Sequence, residues 1–242
     1  MDIVLRITDL AGWAKYRPPK NQKLQWKDEF SAKEFARAVL AKDFEEDVAQ
    51  VMEKADITGL KIENAYPEYK ISLDDYPGGQ RNHDLACTCR SQTKKVAVCF
   101  EAKARESFGQ KLSTKWNVKK KSEIRQRINS MLQLLLKRDY DPQALDLKNI
   151  YYQLLTGLVG TVKFAQKEDM PICIFVVYQL ETKTTTSGII ETHKKAISRF
   201  LQLFHQPRDS EVSDNSIYGL GKFEGVETWL AYMERPEVSK EN

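Results

Sequence analysis

One stretch restricts the fold more than any other: two runs rich in β-branched, aromatic and small apolar residues flank a polar connector at residues 91–94. This pattern predicts a β-hairpin. Counting outward from the connector places Asp84 opposite Glu101, and facing residues in an antiparallel pair share one face of the sheet. Because side chains alternate along a strand, Lys103 returns to the face of Glu101. The sequence therefore predicts that these three charged residues converge at one end of the hairpin.

The two acids of this hairpin need a positive charge nearby, because like charges directly opposed in a strand pair are destabilising. Lys103 supplies one such charge. A hard divalent ion would supply more, and Mg²⁺ is typically held by one or two carboxylates together with water and phosphate oxygens. Asp84 and Glu101 are therefore candidate ligands of Mg²⁺ or Mn²⁺. The alternative is a solvated strand end with a surface ion pair, which would contribute little to stability.

The motif formed by Asp84, a spacer of about one hairpin, and Glu101-Ala102-Lys103 resembles the core of the PD-(D/E)XK, or restriction-endonuclease-like, nuclease superfamily. The residue before the aspartate is His83, where that motif has proline. The segments RNHD and EAKA are also similar to those of a group of bacterial proteins without an assigned activity. The resemblance implies that the two acids bind Mg²⁺ and that the lysine positions or activates the attacking water.

The same resemblance suggests further site residues. Many superfamily members supply a third acid from the helix before the sheet, where this chain has several acids including Glu53, and Glu68 on the first strand is another candidate. Gln153 resembles a glutamine that some members place on the helix after the hairpin, so it is a candidate substrate contact or an ordinary helix-surface residue. Alternation points His83 away from the site, which favours a structural role for it.

Residues 110–127 form a basic block directly after the hairpin, with seven bases and one acid. A basic segment near the predicted site, with a tryptophan in its midst, fits contact with a nucleic-acid backbone and stacking on a base. A solvated basic loop is the alternative. The predicted nucleic-acid-binding residues are Lys111, Lys115, Trp116, Lys119, Lys120, Lys121 and Arg125.

Hydrophobic periodicity predicts the element order helix, three strands, helix, strand. A helix between the hairpin and the apolar run at residues 170–180 indicates a parallel crossover. The predicted fold class is therefore α/β, a mixed central sheet flanked by helices, and the resemblance implies a restriction-endonuclease-like core. We expect one domain: an N-terminal extension with a helix at 1–43, a nuclease-like core at 44–180, and a C-terminal helix and strand appendage at 181–242 packed on the same domain.

Several local patterns predict details of this fold. Residues 1–30 contain prolines and read as an irregular extension. Ser31 and Glu34 form a capping-box signature that opens a helix. Gly157 and Gly160 interrupt a later helix, and glycine there needs a reason such as close approach to the sheet. A final amphipathic helix is predicted at 193–204.

The composition, 41% hydrophobic and 30% charged residues, is that of a soluble globular protein. No apolar run approaches the roughly 18 residues that span a bilayer, and no secretory signal is visible. We therefore expect a cytoplasmic bacterial protein that does not bind membranes and that is compatible with homodimer formation. Cys87 and Cys89 share a strand face opposite to that of Cys99, so the cysteines are predicted to be buried thiols rather than zinc ligands.

Mg²⁺-dependent hydrolysis of phosphodiester bonds in nucleic acid is the leading functional prediction, with DNA as the favoured partner. The motifs GxSxG, GxxxxGK[ST] and HExxH do not occur, and three histidines supply few metal sites of the histidine type. The alternative is a catalytically inactive nuclease-fold module that binds nucleic acid or a protein. The sequence leaves open whether the substrate is DNA or RNA and whether it is single- or double-stranded.

Overall fold

A mixed β-sheet of seven strands forms the centre of the molecule. The structure is a computed structural model that describes residues 2–3, 7–16, 26–117, 122–141, 143–204 and 211–236. The spatial order of the strands is β1-β2-β3-β4-β5-β7-β6. Their bounds are β1 Asp2–Ile3, β2 Lys61–Ser72, β3 Gln80–Arg90, β4 Lys95–Lys103, β5 Ile172–Leu180, β6 Ser216–Phe223 and β7 Val226–Arg235.

Helices occupy most of the remaining described chain. They are α1 Leu10–Tyr16, α2 Ser31–Leu40, α3 Phe44–Glu53, α4 Leu112–Trp116, α5 Ser122–Leu136, α6 Leu145–Lys148, α7 Tyr152–Lys167 and α8 Ser187–Leu201, followed by a short 3₁₀ turn at Gln202–Phe204. None of the helices in the described ranges is long and apolar enough to cross a membrane.

The pairing of the strands confirms the predicted fold class. Strands β2, β3 and β4 form an antiparallel meander, whereas β5 pairs parallel with β4 on one side and with β7 on the other. A parallel neighbour requires a crossover connection, and α4 to α7 supply it. The order helix, three strands, helix, strand is present as α3, β2, β3, β4, α7 and β5. The hairpin of β6 and β7 continues the same sheet beyond β5.

The predicted hairpin register is confirmed. Arg90 pairs with Lys95, and the ladder continues to the pair of Leu85 and Phe100. Asp84 and Glu101 are the next residues beyond this last pair. Strand β5 is buried along its whole length, which agrees with its continuous apolar sequence.

Two hydrophobic cores cover the two faces of the sheet. Helices α1 to α3 pack on one face, where the rings of Phe35, Phe44, Phe100 and Tyr178 have centroids 5.3 to 6.2 Å apart. Aromatic pairs at this spacing stabilise a core beyond the area that they bury. Helices α4 to α8 pack on the opposite face. The site described below lies at one end of the sheet, between these two layers.

The close approach predicted for the two glycines of α7 is confirmed. A Cβ atom at Gly157 would overlap the ring of Phe175 on β5, and one at Gly160 would lie 2.7 Å from Nε2 of His83. Helix α7 can therefore lie directly against the sheet. The four cysteines are buried and free, with Cys87 and Cys89 in one core and Cys99 in the other. Burial raises the pKa of each of these thiols.

Three local predictions were wrong. The N-terminal extension contains α1, which buries Trp13, although residues 17–25 lie outside the described ranges. Ser31 is the first residue of α2 rather than its cap, because Phe30 has the extended N-cap conformation and the Ser31 hydroxyl donates to Glu106. Helix α8 begins at Ser187 rather than at residue 193, because the Thr186 hydroxyl accepts a hydrogen bond from a backbone N–H in the first turn.

Candidate active site

A cleft of about 1240 Å³ opens at the end of the sheet where β3 begins and β4 ends. Asp84, Glu101 and Lys103 all line it. The wall is completed by the turn between β2 and β3, the N-terminal residues of α2, and the first turn of α7. The three residues predicted from the hairpin are therefore brought together in one cleft.

The Asp84 carboxylate ties the two hairpin strands together beyond the end of their ladder. Its Oδ2 atom accepts a hydrogen bond from the backbone N–H of Ala102 at 2.7 Å. Burial raises the pKa of Asp84, and the positive charge of Lys103 and the Ala102 hydrogen bond partly oppose this effect. The carboxylate is thus oriented by the backbone of β4 while its residue lines the cleft.

Glu101 is held by two cations. The Lys103 ammonium pairs with its Oε1 atom, and the Arg81 guanidinium pairs with its Oε2 atom. Glu101 is 3% exposed and Arg81 is 9% exposed, so the charges are shielded from bulk water. Sequence reasoning assigned no role to Arg81, although it belongs to the RNHD segment.

Arg81 reaches Glu101 because strict side-chain alternation breaks near Asp84. Leu85 packs in the core of α1 to α3, yet His83 and Arg81 both lie against Gly160 of α7 on the other face. The expectation that His83 points away from the site face was therefore wrong. Burial and the adjacent Arg81 charge lower the pKa of His83 well below its usual value, so its ring is neutral at pH 7.

On the neighbouring strand β2, alternation breaks at the matching position. Glu68 has a φ of 50°, in the left-handed region, and the rings of Tyr66 and Tyr69 on either side both contact Phe164 of α7. A residue other than glycine rarely has a positive φ, and Glu68 marks a local kink in the strand. No periodicity in the sequence indicates this kink.

Lys103 is 5% exposed, and its ammonium lies 5.4 Å from the ring centroid of Phe108. Burial lowers the pKa of Lys103 to about 8, an effect that the Arg81 charge increases and the Asp84 charge opposes. A lysine with a pKa near neutrality can exchange a proton with water at physiological pH, which an exposed lysine does far less readily.

A buried hydrogen-bond network supports the end of β4 from behind. Gln179 pairs with Lys103 in the parallel register of β4 and β5. Its Nε2 atom donates to the carbonyl of Ala104 at 2.9 Å, and its Oε1 atom lies 2.6 Å from Nδ1 of His193 on α8. Because the amide nitrogen already donates to carbonyls, His193 is the donor in this pair. Neither residue was predicted, since their proximity depends on the crossover.

Neither candidate for a third metal-binding acid forms a group with Asp84 and Glu101. Glu53 is exposed at the end of α3, away from the cleft. Glu68 lines the cleft, but its carboxylate accepts a hydrogen bond from Asn82. Among the described residues, no three or more His, Cys, Asp or Glu side chains are grouped so that they could hold a metal ion. The candidate ligands of a hard cation are therefore the pair Asp84 and Glu101, whose oxygen donors suit Mg²⁺ or Mn²⁺.

A family model for a domain of unknown function, DUF6946, matches residues 6–237. The chain belongs to this family. The matched segment contains every residue of the cleft. Comparison with curated proteins and with solved structures found no match.

The basic block of this DUF6946 domain is only partly directed at the cleft. Lys115 lines the cleft with its ammonium 5.2 Å from the ring centroid of Tyr152, and Lys111 lies 3.3 Å from Oδ1 of Asn149. Trp116 packs its ring on Tyr140 at 4.6 Å between centroids. Its indole is therefore engaged within the protein rather than free to stack on a base.

The other bases of the block differ in environment. Arg125 is exposed and donates to the carbonyl of Trp116 at 2.9 Å. Arg127 is buried and pairs with Asp74 at 2.7 Å, so it has a structural role. Lys119, Lys120 and Lys121 lie outside the described residues.

Gln153 lies in the first turn of α7 and lines the cleft, next to Tyr152. This position on the helix after the hairpin is the one that the resemblance implied. Burial raises the pKa of Tyr152, and the nearby Arg127 and Arg81 charges oppose that shift. The first turn of α7 thus offers an amide and a phenol to the cleft for hydrogen bonding.

Proposed function

We propose that this protein is a Mg²⁺- or Mn²⁺-dependent nuclease that hydrolyses phosphodiester bonds of nucleic acid, with DNA as the favoured substrate. The observation that carries this proposal is the meeting of Asp84, Glu101 and Lys103 from two strands in one open cleft. Two carboxylates can hold an ion that assists phosphodiester hydrolysis, and a lysine of lowered pKa can act on the attacking water.

Asp84 and Glu101 would hold the divalent ion. Their donors are hard carboxylate oxygens at the ends of adjacent strands, and the backbone N–H of Ala102 orients one of them. When bound, the ion would polarise the scissile phosphate and neutralise its charge.

Lys103 is the residue assigned to the attacking water. Its pKa of about 8 lets it accept or return a proton near neutral pH. The pairing with Glu101 and the ring of Phe108 restrict where its ammonium can lie. We assign to Lys103 the orientation of the nucleophile and the stabilisation of negative charge that develops on the phosphate.

The remaining cleft residues would position the substrate. Lys115 offers a cation to a backbone phosphate, and Gln153 offers an amide in the same cleft. Exposed Arg125 and half-buried Lys111 extend the basic surface beyond the cleft. Contacts of this kind position a strand without reading its sequence.

One observation favours the alternative, a nuclease-fold module that binds nucleic acid or a protein without catalysis. Both oxygens of Glu101 are paired with cations, which is also what a buried structural ion pair looks like. In that case Asp84 and Lys103 would only maintain the shape of the cleft.

Metal binding and cleavage, measured on the same proteins, test the proposal. Mg²⁺ and Mn²⁺ are titrated calorimetrically into wild type, Asp84→Asn and Asp75→Asn, and each is incubated with plasmid and with single-stranded DNA. Asp75 is an exposed acid in the turn beside the cleft, so its variant makes the same charge change outside the site. We expect Asp84→Asn to lose metal binding and to cleave about 10²- to 10³-fold more slowly.

Cleavage by Asp84→Asn at the wild-type rate would refute the site assignment. A folded wild type that neither binds the ions nor cleaves either DNA would refute the nuclease proposal and leave the binding module. RNA offered in parallel establishes which nucleic acid is cleaved.

A further inference from the structure

Arg81 is a buried cation that the proposed mechanism does not use. It lines the cleft, and its guanidinium contacts Glu101. Its Nε and Nη2 atoms have no hydrogen-bond partner among the described residues, so Arg81 meets Glu101 as an ion pair only. A buried guanidinium with an unsatisfied donor is costly, so the pairing with Glu101 is the main contact that compensates for its burial.

The Glu101 carboxylate has one cation on each oxygen. A divalent ion that binds this carboxylate must therefore replace Lys103 or Arg81. Both cations lie on paired strands and line the cleft. Lys103 donates a hydrogen bond to Glu101, and its ammonium lies over the ring of Phe108. Among the described residues, the Nε and Nη2 atoms of Arg81 have no hydrogen-bond partner. Arg81 is therefore the less firmly held of the two cations.

The charges of four cleft residues balance one another: Asp84 and Glu101 carry two negative charges, and Arg81 and Lys103 carry two positive charges. The cleft wall also carries further acids and bases, namely Glu68, Glu106, Glu123, Lys115 and Arg127. A divalent ion added to the four leaves them with two positive charges in excess, and because Glu101, Arg81 and Lys103 are buried, these charges interact more strongly than in water. A nucleic-acid backbone, with one negative charge for each phosphate, removes that excess.

We infer that Arg81 competes with the divalent ion for Glu101 and thereby couples ion binding to substrate binding. The ion binds weakly to the protein alone. It binds tightly once a phosphodiester backbone accepts the Arg81 guanidinium, because arginine pairs readily with phosphate. This inference rests on the proposed function, since it takes Asp84 and Glu101 as ligands of the ion.

Mn²⁺ affinity measured by electron paramagnetic resonance tests the inference without an activity assay. The full chain is titrated as wild type, Arg81→Gln and Arg90→Gln, with and without a cleavage-resistant phosphorothioate DNA. Arg90 lies on the same strand and pairs with Glu63 at 2.6 Å, far from the cleft, so its variant removes the same charge elsewhere. We expect the DNA to tighten Mn²⁺ binding to wild type about tenfold, a typical size for coupling between sites.

Arg81→Gln should bind Mn²⁺ about tenfold more tightly than wild type without DNA and should gain little when DNA is added, whereas Arg90→Gln should behave as wild type. Equal or weaker Mn²⁺ binding by a folded Arg81→Gln would overturn the inference while leaving the nuclease proposal intact. Absence of Mn²⁺ binding in every protein, with and without DNA, would instead overturn the proposed function.

The comparison of wild type with and without DNA keeps the inference testable if Arg81→Gln fails to fold. Equal Mn²⁺ affinity in the two conditions would by itself overturn the coupling. Arg81→Lys, which keeps the charge but loses the planar fork, serves as a second variant, with an expected Mn²⁺ affinity between those of wild type and Arg81→Gln.

Discussion

Two buried histidines lie beside the charged cluster, and neither can easily accept a proton. His83 is next to Arg81, and His193 is close to Lys103. Burial, reinforced by the neighbouring positive charge, lowers the pKa of both rings, that of His193 to about 4. Both are therefore neutral at pH 7, and both favour the protonated form only after unfolding.

Acidification should destabilise the protein in part through His193. Its folded pKa of about 4 lies below its unfolded value near 6.5, so the unfolded chain binds more protons between these values and stability falls as the pH drops through this window. The loss from this residue reaches about 2–3 kcal/mol near pH 4. Urea unfolding of wild type and His193→Gln at pH 7 and pH 5 measures it, and the variant should lose less stability between the two.

The comparison needs a control, because other groups titrate in the same window. Lys195→Gln removes an exposed charge from α8, the helix that carries His193. It should follow the wild-type pH dependence. An unchanged pH dependence in His193→Gln would show that the His193 ring does not carry the effect.

At the scale of residues, the sequence located the acids and the lysine because strand alternation needs only a correct register. The same rule did not predict the positions of the Arg81 and His83 side chains, because alternation breaks at the kink beside Glu68. This kink has no signature in the pattern of apolar residues. Strand alternation also did not predict that Gln179 lies beside Lys103, because Gln179 is on a strand that reaches β4 only through the crossover.

The turn between β2 and β3 is held by an element distant in sequence. Arg127 of α5 donates to the Asp74 carboxylate and to the carbonyls of Tyr76 and Pro77 at 3.1 to 3.2 Å. The side chains of the ion pair are 7% and 10% exposed. The pair thus joins a helix of the crossover to the rim of the cleft.

Breaking this pair should be costly, since it leaves a buried charge without its partner. We expect Arg127→Ala and Asp74→Ala each to lower the free energy of unfolding by about 3 kcal/mol. The double variant should lose less than the sum of the two, which urea unfolding in a double-mutant cycle measures.

An exposed pair in the same region provides the comparison. Arg138 and Asp146 have side chains 43% and 48% exposed, so Arg138→Ala should cost under about 1 kcal/mol. Additive effects of the Asp74 and Arg127 variants would show that the two side chains do not act as a unit.

At the scale of elements, hydrophobic periodicity predicted the existence and order of the main helices and strands. Their ends were less predictable, because a helix begins where a particular side chain satisfies its first backbone N–H groups. Ser31 has the right chemistry for a cap but bonds to Glu106, and Thr186 caps α8 about two turns before the predicted start at residue 193. From the sequence, Arg127 was interpreted as part of a basic surface, because its partner Asp74 lies far away in the sequence.

The C-terminal hairpin is part of the central sheet of the whole molecule. Strand β7 pairs with every residue of β5, and Leu230, Ala231 and Tyr232 of β7 are fully buried. Arg235 also pairs with Asp43 at 2.7 Å, which joins the end of the strand to the start of α3. The sequence predicted a C-terminal helix and strand appendage packed on the same domain but not the strand that it pairs with, because long-range pairing leaves no periodic signal.

Removal of residues 205–242 should therefore make the protein insoluble rather than merely shorter. It uncovers the backbone edge and apolar side chains of β5, and an exposed apolar edge strand promotes aggregation. Size-exclusion chromatography of the soluble fraction measures the effect. Removal of residues 237–242 alone should leave a soluble protein, and a soluble, cooperatively unfolding 1–204 chain would contradict the expectation.

The meander and the crossover also differ in the chain entropy that is lost when each of them forms. Strands β2, β3 and β4 are joined by short turns, so their pairing closes small loops, whereas β5 reaches β4 only after the long segment between residues 104 and 171. The chain entropy lost on closing a loop grows with its length. The positions of Asp84 and Glu101 therefore depend on short-range strand pairing, which loses little chain entropy. The positions of Gln179 and His193, which support Lys103, depend on long-range pairing through the crossover, which loses more chain entropy.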